Sequence, residues 1–173
     1  DYRRRGLVRK QFEVMHEWGK QRGHLFNTVM GIPDYYKQFG YEYALDAWGG
    51  RETARTALTD VLPKKNSEPP LTARDATRED VAFIVETELN SRKRLFVTAT
   101  RDAQIFESEM FGRREGSMTF YRVRILEREG TPVGYYEYWV PTKRDKIRVD
   151  AFEISDSVNW LDATSSLLVG LKK

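Results

Sequence analysis

Two runs of residues in this chain have the types and spacing to do chemistry. The first, Arg3-Arg4-Arg5-Gly6-Leu7-Val8, stands directly before an amphipathic stretch. A glycine turn at a helix N-terminus presents unpaired backbone N–H groups and the positive end of the helix dipole, and flanking guanidinium groups can bond phosphate oxygens in pairs. Arg3, Arg4, Arg5, Gly6, Leu7 and Val8 therefore form a candidate pyrophosphate site; the plainer reading is a solvated basic segment ahead of a helix. The second run is Gly31-Ile32-Pro33-Asp34-Tyr35-Tyr36-Lys37-Gln38-Phe39-Gly40-Tyr41. A short helix closed by glycine can project a phenol from its face. Phenols titrate near pH 10, so at neutral pH they can donate to a thiolate or alkoxide formed in a reaction. Taken singly, tyrosines at this density more often fill a core.

Both runs depend on the elements that carry them. From Leu7 to Gln21, Leu7, Val8, Phe12, Val14, Met15 and Trp18 recur mostly at spacings of three and four, which predicts an amphipathic helix ended near Gly23. Leu25 to Met30 reads as a short buried strand between glycines. Pro33 and Asp34 suit a helix start, giving a short helix from Asp34 to Phe39 that Gly40 closes. Tyr41 to Leu45 alternates as a strand. Residues 46–70 change character, and 61–70, rich in proline and polar residues, read as a linker.

Behind the linker a second pattern begins. It predicts a strand at 71–74, helices at 80–94 and 102–113, and strands at 119–127, 132–140 and 146–154. Turn signals at 128–131 and 142–145 make these three strands an antiparallel meander. A last helix runs from Ser157, a candidate N-cap, to Leu171. The fold class expected is α+β, a mainly antiparallel mixed sheet flanked by helices.

The arrangement R-x-x-G-x-V opening an amphipathic helix, then a buried strand, then Y-Y-x-x-F-G-Y, resembles the C-terminal half of a GNAT-type N-acetyltransferase. The resemblance implies that the loop from Arg3 to Val8 binds the pyrophosphate of acetyl-CoA. It also implies that Tyr36, four residues before Gly40, is the general acid that protonates the departing CoA thiolate. Val8 stands where the family commonly has Gly or Ala, and Val29 where it often has Asn.

Residues 71–173 resemble the N-terminal half of the same fold, so the order of halves is inverted. That implies a piece of a tandem protein: residues 1–60 as the end of one module, 61–70 as linker, and 71–173 as the beginning of a second. The second module looks degenerate, because Ser155 to Asp162 has no glycine and places two acidic groups where phosphates would sit. The acceptor would be a small-molecule or peptide amine, and the general base is unassigned. Isolated, the chain is expected to show little or no transferase activity. The alternative reading is a non-catalytic acyl-CoA-binding or regulatory module of the same shape. Strands from both halves are expected to share one sheet, through a homo-oligomer or strand exchange if needed.

Composition narrows the remaining classes. The chain has 173 residues, 40% hydrophobic and 13% aromatic, which is enough apolar content for a core in one or two small domains. Cysteine is absent, which removes disulfides, thiolate metal sites and thiol nucleophiles. His16 and His24 are the only histidines and share no metal spacing, so no metal site is expected. No apolar run reaches the roughly 20 residues of a membrane span, and a cytoplasmic location is expected. A net charge of +3 is thin for nucleic acid, although Arg3–Arg5 and Arg92-Lys93-Arg94 are basic. The aromatic run Val133 to Trp139 reads as a sheet with buried faces rather than a base-stacking platform.

Overall fold

The structure is a computed structural model that describes residues 4–45, 50–61, 69–117, 119–139 and 146–172. The chain divides into two compact units, Asp1–Trp48 and Gly49–Lys173. The division precedes the segment read as a linker, and residues 51–61 pack with the second unit.

In the first unit α1 spans Leu7–Gln21, the limits its apolar spacing predicts. Gly23 ends it at φ 73°, a left-handed conformation that costs glycine little. A 3-10 turn covers Tyr35–Phe39, closed by Gly40 at φ 86°. It begins after Asp34, which lies at φ 61° outside the turn rather than in its first residue.

The two strands expected here do not form. Residues 25–30 and 41–45 are irregular, and Leu25 is 96% exposed. A strand needs a neighbour to pair with, and the described residues of this unit offer none. The alternation of Tyr41 and Tyr43 serves side-chain contacts instead: Tyr41 meets His16, and the Tyr43 hydroxyl accepts the Asp34 amide at 2.9 Å. Neither segment enters the sheet, but the two halves do share one: Arg51–Ala54, within residues 1–60, pairs antiparallel with Lys146 to Val149.

The second unit is an antiparallel five-stranded sheet with helices on both faces. Its elements are β1 (Arg51–Ala54), α2 (Arg55–Val61), β2 (Thr72–Asp75), α3 (Val81–Ser91), α4 (Ala103–Phe111), β3 (Arg122–Arg128), β4 (Thr131–Trp139), β5 (Lys146–Ile154) and α5 (Trp160–Lys172). The strand order is β1-β5-β4-β3-β2. The β3–β4 hairpin closes through Glu129 and Gly130, at φ 51° and 78°, as a two-residue turn of the hand that fits strand twist. The expected turn at 142–145 lies outside the described residues.

Because side chains alternate across a strand, adjacent Tyr135 and Tyr136 point to opposite faces, and both are fully buried. Tyr136 packs with Leu58, Leu71, Leu126, Ile147 and Leu167. Tyr135 packs with Val81, Ile84, Phe106, Val123 and Ile125 on the other side. The aromatic run is thus core.

Helix caps explain where α3 to α5 begin. Thr77 and Asp80 form a reciprocal capping box ahead of α3, and Asp102 accepts the Ile105 amide at 2.9 Å to start α4. For α5 the cap is Asn159, whose Oδ1 accepts the Leu161 amide at 2.7 Å, so Ser157 is not the cap.

Asp80 also takes two bonds of 2.7 Å from the Arg74 guanidinium, which lowers its carboxyl to about 2. The folded value lies below the unfolded one. The stabilisation is therefore full above pH 4 and lost as pH falls from about 4 to 2. Allowing for solvent around the partly exposed Arg74, it is about 1–2 kcal/mol. Urea unfolding across that pH range is expected to show the loss in the wild type and a flatter profile in Asp80→Asn.

Candidate functional site

The residues singled out by sequence lie in the first unit, and α1 organises them. Arg3 lies outside the described residues. Arg4 and Gly6 adopt left-handed conformations at φ 59° and 71°, with Arg5 between them, so the chain turns sharply into α1. A Cβ at Gly6 would meet nothing within 4 Å; backbone conformation, not space, favours glycine there. The first bond closing the helix runs from the Lys10 amide to the Gly6 carbonyl at 3.1 Å. The amides of Leu7, Val8 and Arg9 precede it, which leaves them without an intrahelical acceptor. No acidic side chain occupies the first turn and no side chain caps it. Residues 4–10 are exposed. The result is an open N-terminal turn with cationic side chains beside it.

Tyr36 is carried by the 3-10 turn, and aromatic packing fastens that turn to α1. Phe12 stacks on Phe39 with centroids 4.4 Å apart, and meets Tyr36 and Tyr41 edge-on at 5.9 and 5.7 Å. One turn further along α1, His16 Nε2 lies 3.1 Å from the Tyr41 hydroxyl. Arg9 donates to the Gln38 carbonyl and side-chain oxygen, both at 3.4 Å, and lies over the Phe39 ring.

Tyr35 meets Tyr36 edge-on at 5.1 Å and takes the neighbouring packing position. A Cβ at Gly31 would lie 2.7 Å from the Tyr36 hydroxyl, so glycine there leaves room for the phenol. Tyr36 is half-buried, and no described residue hydrogen-bonds its hydroxyl.

The loop and the tyrosine turn thus share one helix. Phe12 lies six residues beyond Gly6, about 9 Å along the axis. Phe12 and Gly31 lie against Tyr36, and His16 holds Tyr41 beside it. Phe12 and His16 carry a sequence signal, since residues four apart share a helix face, but nothing local names the partner of that face.

The corresponding helix start in the second unit differs. Asn159 already takes an amide of α5, and Asp162 stands in its first turn. Negative charge there opposes an anion.

Other basic residues are engaged elsewhere. Arg92 bonds Glu88 at 3.4 Å, and Arg94 pairs with Glu153. His24 is exposed and sits apart from His16 in the chain. Among the described residues no group of acidic, histidine or cysteine side chains is placed to hold a metal ion. Also among them, no helix is long and apolar enough to cross a membrane.

The second unit holds a buried polar cluster that sequence reasoning missed. The Arg101 guanidinium bonds Glu88 at 2.6 Å and Glu137 at 2.7 Å, with Glu109 at 3.5 Å. Its plane rests 4.3 Å from the Phe106 ring centroid. Tyr135 donates to Glu88 at 3.2 Å. Burial pushes the Glu137 carboxyl up against the pull of Arg101, and it raises the Tyr135 phenol, which stays protonated.

No family model and no curated protein matches the chain.

Proposed function

We propose that the chain carries the acyl-CoA half of a GNAT-type N-acetyltransferase in its first unit. What supports this is the joint placement on α1 of an open, cationic N-terminal turn and a tyrosine turn clamped through Phe12. The amides of Leu7, Val8 and Arg9, with Arg4 and Arg5, would hold the pyrophosphate of acetyl-CoA. In the reaction, a neutral amine attacks the thioester carbonyl and the C–S bond breaks. The CoA thiolate then takes the Tyr36 proton, and the phenolate recovers one released by the amine.

The second unit supports the tandem reading by its order. After β1 and α2, one strand, two helices and a three-strand meander, then a helix, follow one another as the N-terminal half of the family's fold would. The capped, acidic start of α5 favours a non-catalytic role for that unit.

Calorimetric titration with acetyl-CoA tests the loop. One molecule is expected to bind per chain, more weakly as salt rises. Arg4→Glu with Gly6→Val is expected to weaken it by roughly tenfold or more, the loss for charge-assisted phosphate bonds. No heat with acetyl-CoA, or equal affinity in the double variant, would overturn the reading.

A further inference from the structure

We propose that a second copy of this chain docks, about a two-fold axis, on a patch of the second unit formed by the loop after α3 and the start of α5. Arg94 joins the two segments. Its guanidinium pairs with Glu153 of β5 and lies 5.4 Å from the centre of the Trp160 ring. Trp160 in turn meets Phe152 of β5 edge-on at 5.2 Å.

Around this contact the apolar side chains face solvent. Phe96 is fully exposed, Leu161 is 77% exposed, and Leu95, Val97 and Trp160 are exposed as well. Apolar residues scattered singly over a surface need no explanation, but a cluster of this kind marks an interaction site. The loop that carries three of them is anchored at its base. Arg92 donates to Glu88 at 3.4 Å and to the Arg101 carbonyl at 3.3 Å, while Arg101 itself holds Glu88 and Glu137. A tip presented on a fixed base loses little freedom when a partner covers it.

Charge selects the partner. The loop half of the patch is basic: Arg92-Lys93-Arg94 leads into the apolar tip, and Lys93 donates to the neutral Asn90 at 3.0 Å, which leaves its charge in place. The α5 half is acidic, with Asp156 and Asp162 on either side of Trp160 and Leu161 in the chain. A patch basic at one end, acidic at the other and apolar between them is complementary to itself when turned by half a revolution. An anionic membrane or an acidic partner would instead meet Asp156 and Asp162 as like charges. The patch is small, of the class below about 1,200 Å², so the dimer is expected to be weak, with a dissociation constant on the order of micromolar.

Sedimentation equilibrium of the full chain at rising concentration is expected to show a monomer–dimer equilibrium. Phe96→Ser is expected to weaken it at least roughly tenfold, the loss for an aromatic anchor, with an unchanged melting temperature because the ring is fully exposed in the single chain. Charge exchange supplies a second readout. Lys93→Glu, and the double variant Asp156→Lys with Asp162→Lys, each set like charges against one another across the axis and are expected to stay monomeric. Mixed in equal amounts, the two are expected to associate more tightly than either does by itself. The proposal is overturned if the wild type stays monomeric at roughly millimolar concentration, if Phe96→Ser dimerises like the wild type, or if the mixture associates no better than its components. It is also overturned if the chain, still monomeric, binds phosphatidylglycerol vesicles and Phe96→Ser abolishes that binding.

Discussion

Replacing Arg101 with alanine is expected to destabilise the second unit by about 3–5 kcal/mol, the cost of stripping a buried charge of its partner. Glu88 and Glu137 are 6% and 7% exposed, and Arg101 reaches both. Removing the guanidinium leaves Glu137 without that partner in a site whose burial already raises its carboxyl. It also strips the Phe106 ring of the cation above it.

A pH dependence follows with a definite sign. In the variant the folded value of Glu137 rises further above its unfolded value, so the carboxyl is tolerated when protonated. Stability is then lost as pH rises through that folded value. The gap between wild type and Arg101→Ala should therefore widen from pH 5 to pH 8. Glu137→Gln placed in the Arg101→Ala background should narrow it. Urea unfolding at several pH values reads all three outcomes, and a gap that shrinks with pH would contradict the assignment.

This cluster shows what kind of structure a sequence conceals. Arg101 meets Glu88 across 13 residues and Glu137 across 36, and in the chain each looks like an ordinary surface charge. Only the folding of α3, α4 and β4 onto one sheet face desolvates them together. The elements themselves are more legible. Limits of α1 and β5 follow from apolar period and flanking turns, because those signals are local.

Where pairing decides, local signals fail in both directions. Leu25 to Met30 has the apolar content of a strand and, among the described residues, no neighbour to pair with. Arg51 to Ala54 has no apolar alternation, yet becomes β1 because Lys146 to Val149 lies open beside it. The candidate site was legible for a related reason. A glycine that must be left-handed before a helix, and a tyrosine four residues ahead of another such glycine, are constraints written within a few residues. The clamp that joins them, Phe12 on Phe39 and Tyr36, spans distant segments and emerges only in three dimensions.

On the proposed reading, Tyr36→Phe is expected to slow acetyl transfer by roughly 10²–10⁴-fold, the usual contribution of a positioned general acid. Transfer should be measured as CoA thiol released from acetyl-CoA in the presence of an amine. The substitution is a narrow one. Phenylalanine keeps the edge-on contacts of the ring with Phe12 and Tyr41, at 5.9 and 6.3 Å, and no described residue bonds the hydroxyl it removes. Thermal stability should stay close to the wild type, and so should calorimetric affinity for acetyl-CoA, since the phosphate loop is untouched. A structural tyrosine would give the opposite pattern, a shifted melt with little change in rate. The chemical role also predicts which substrates suffer least. Thioesters whose departing thiol is more acidic need less proton donation, so the loss caused by Tyr36→Phe should shrink along a series of acyl thioesters of falling thiol pKa. A loss independent of the leaving thiol would assign Tyr36 to packing rather than to proton transfer.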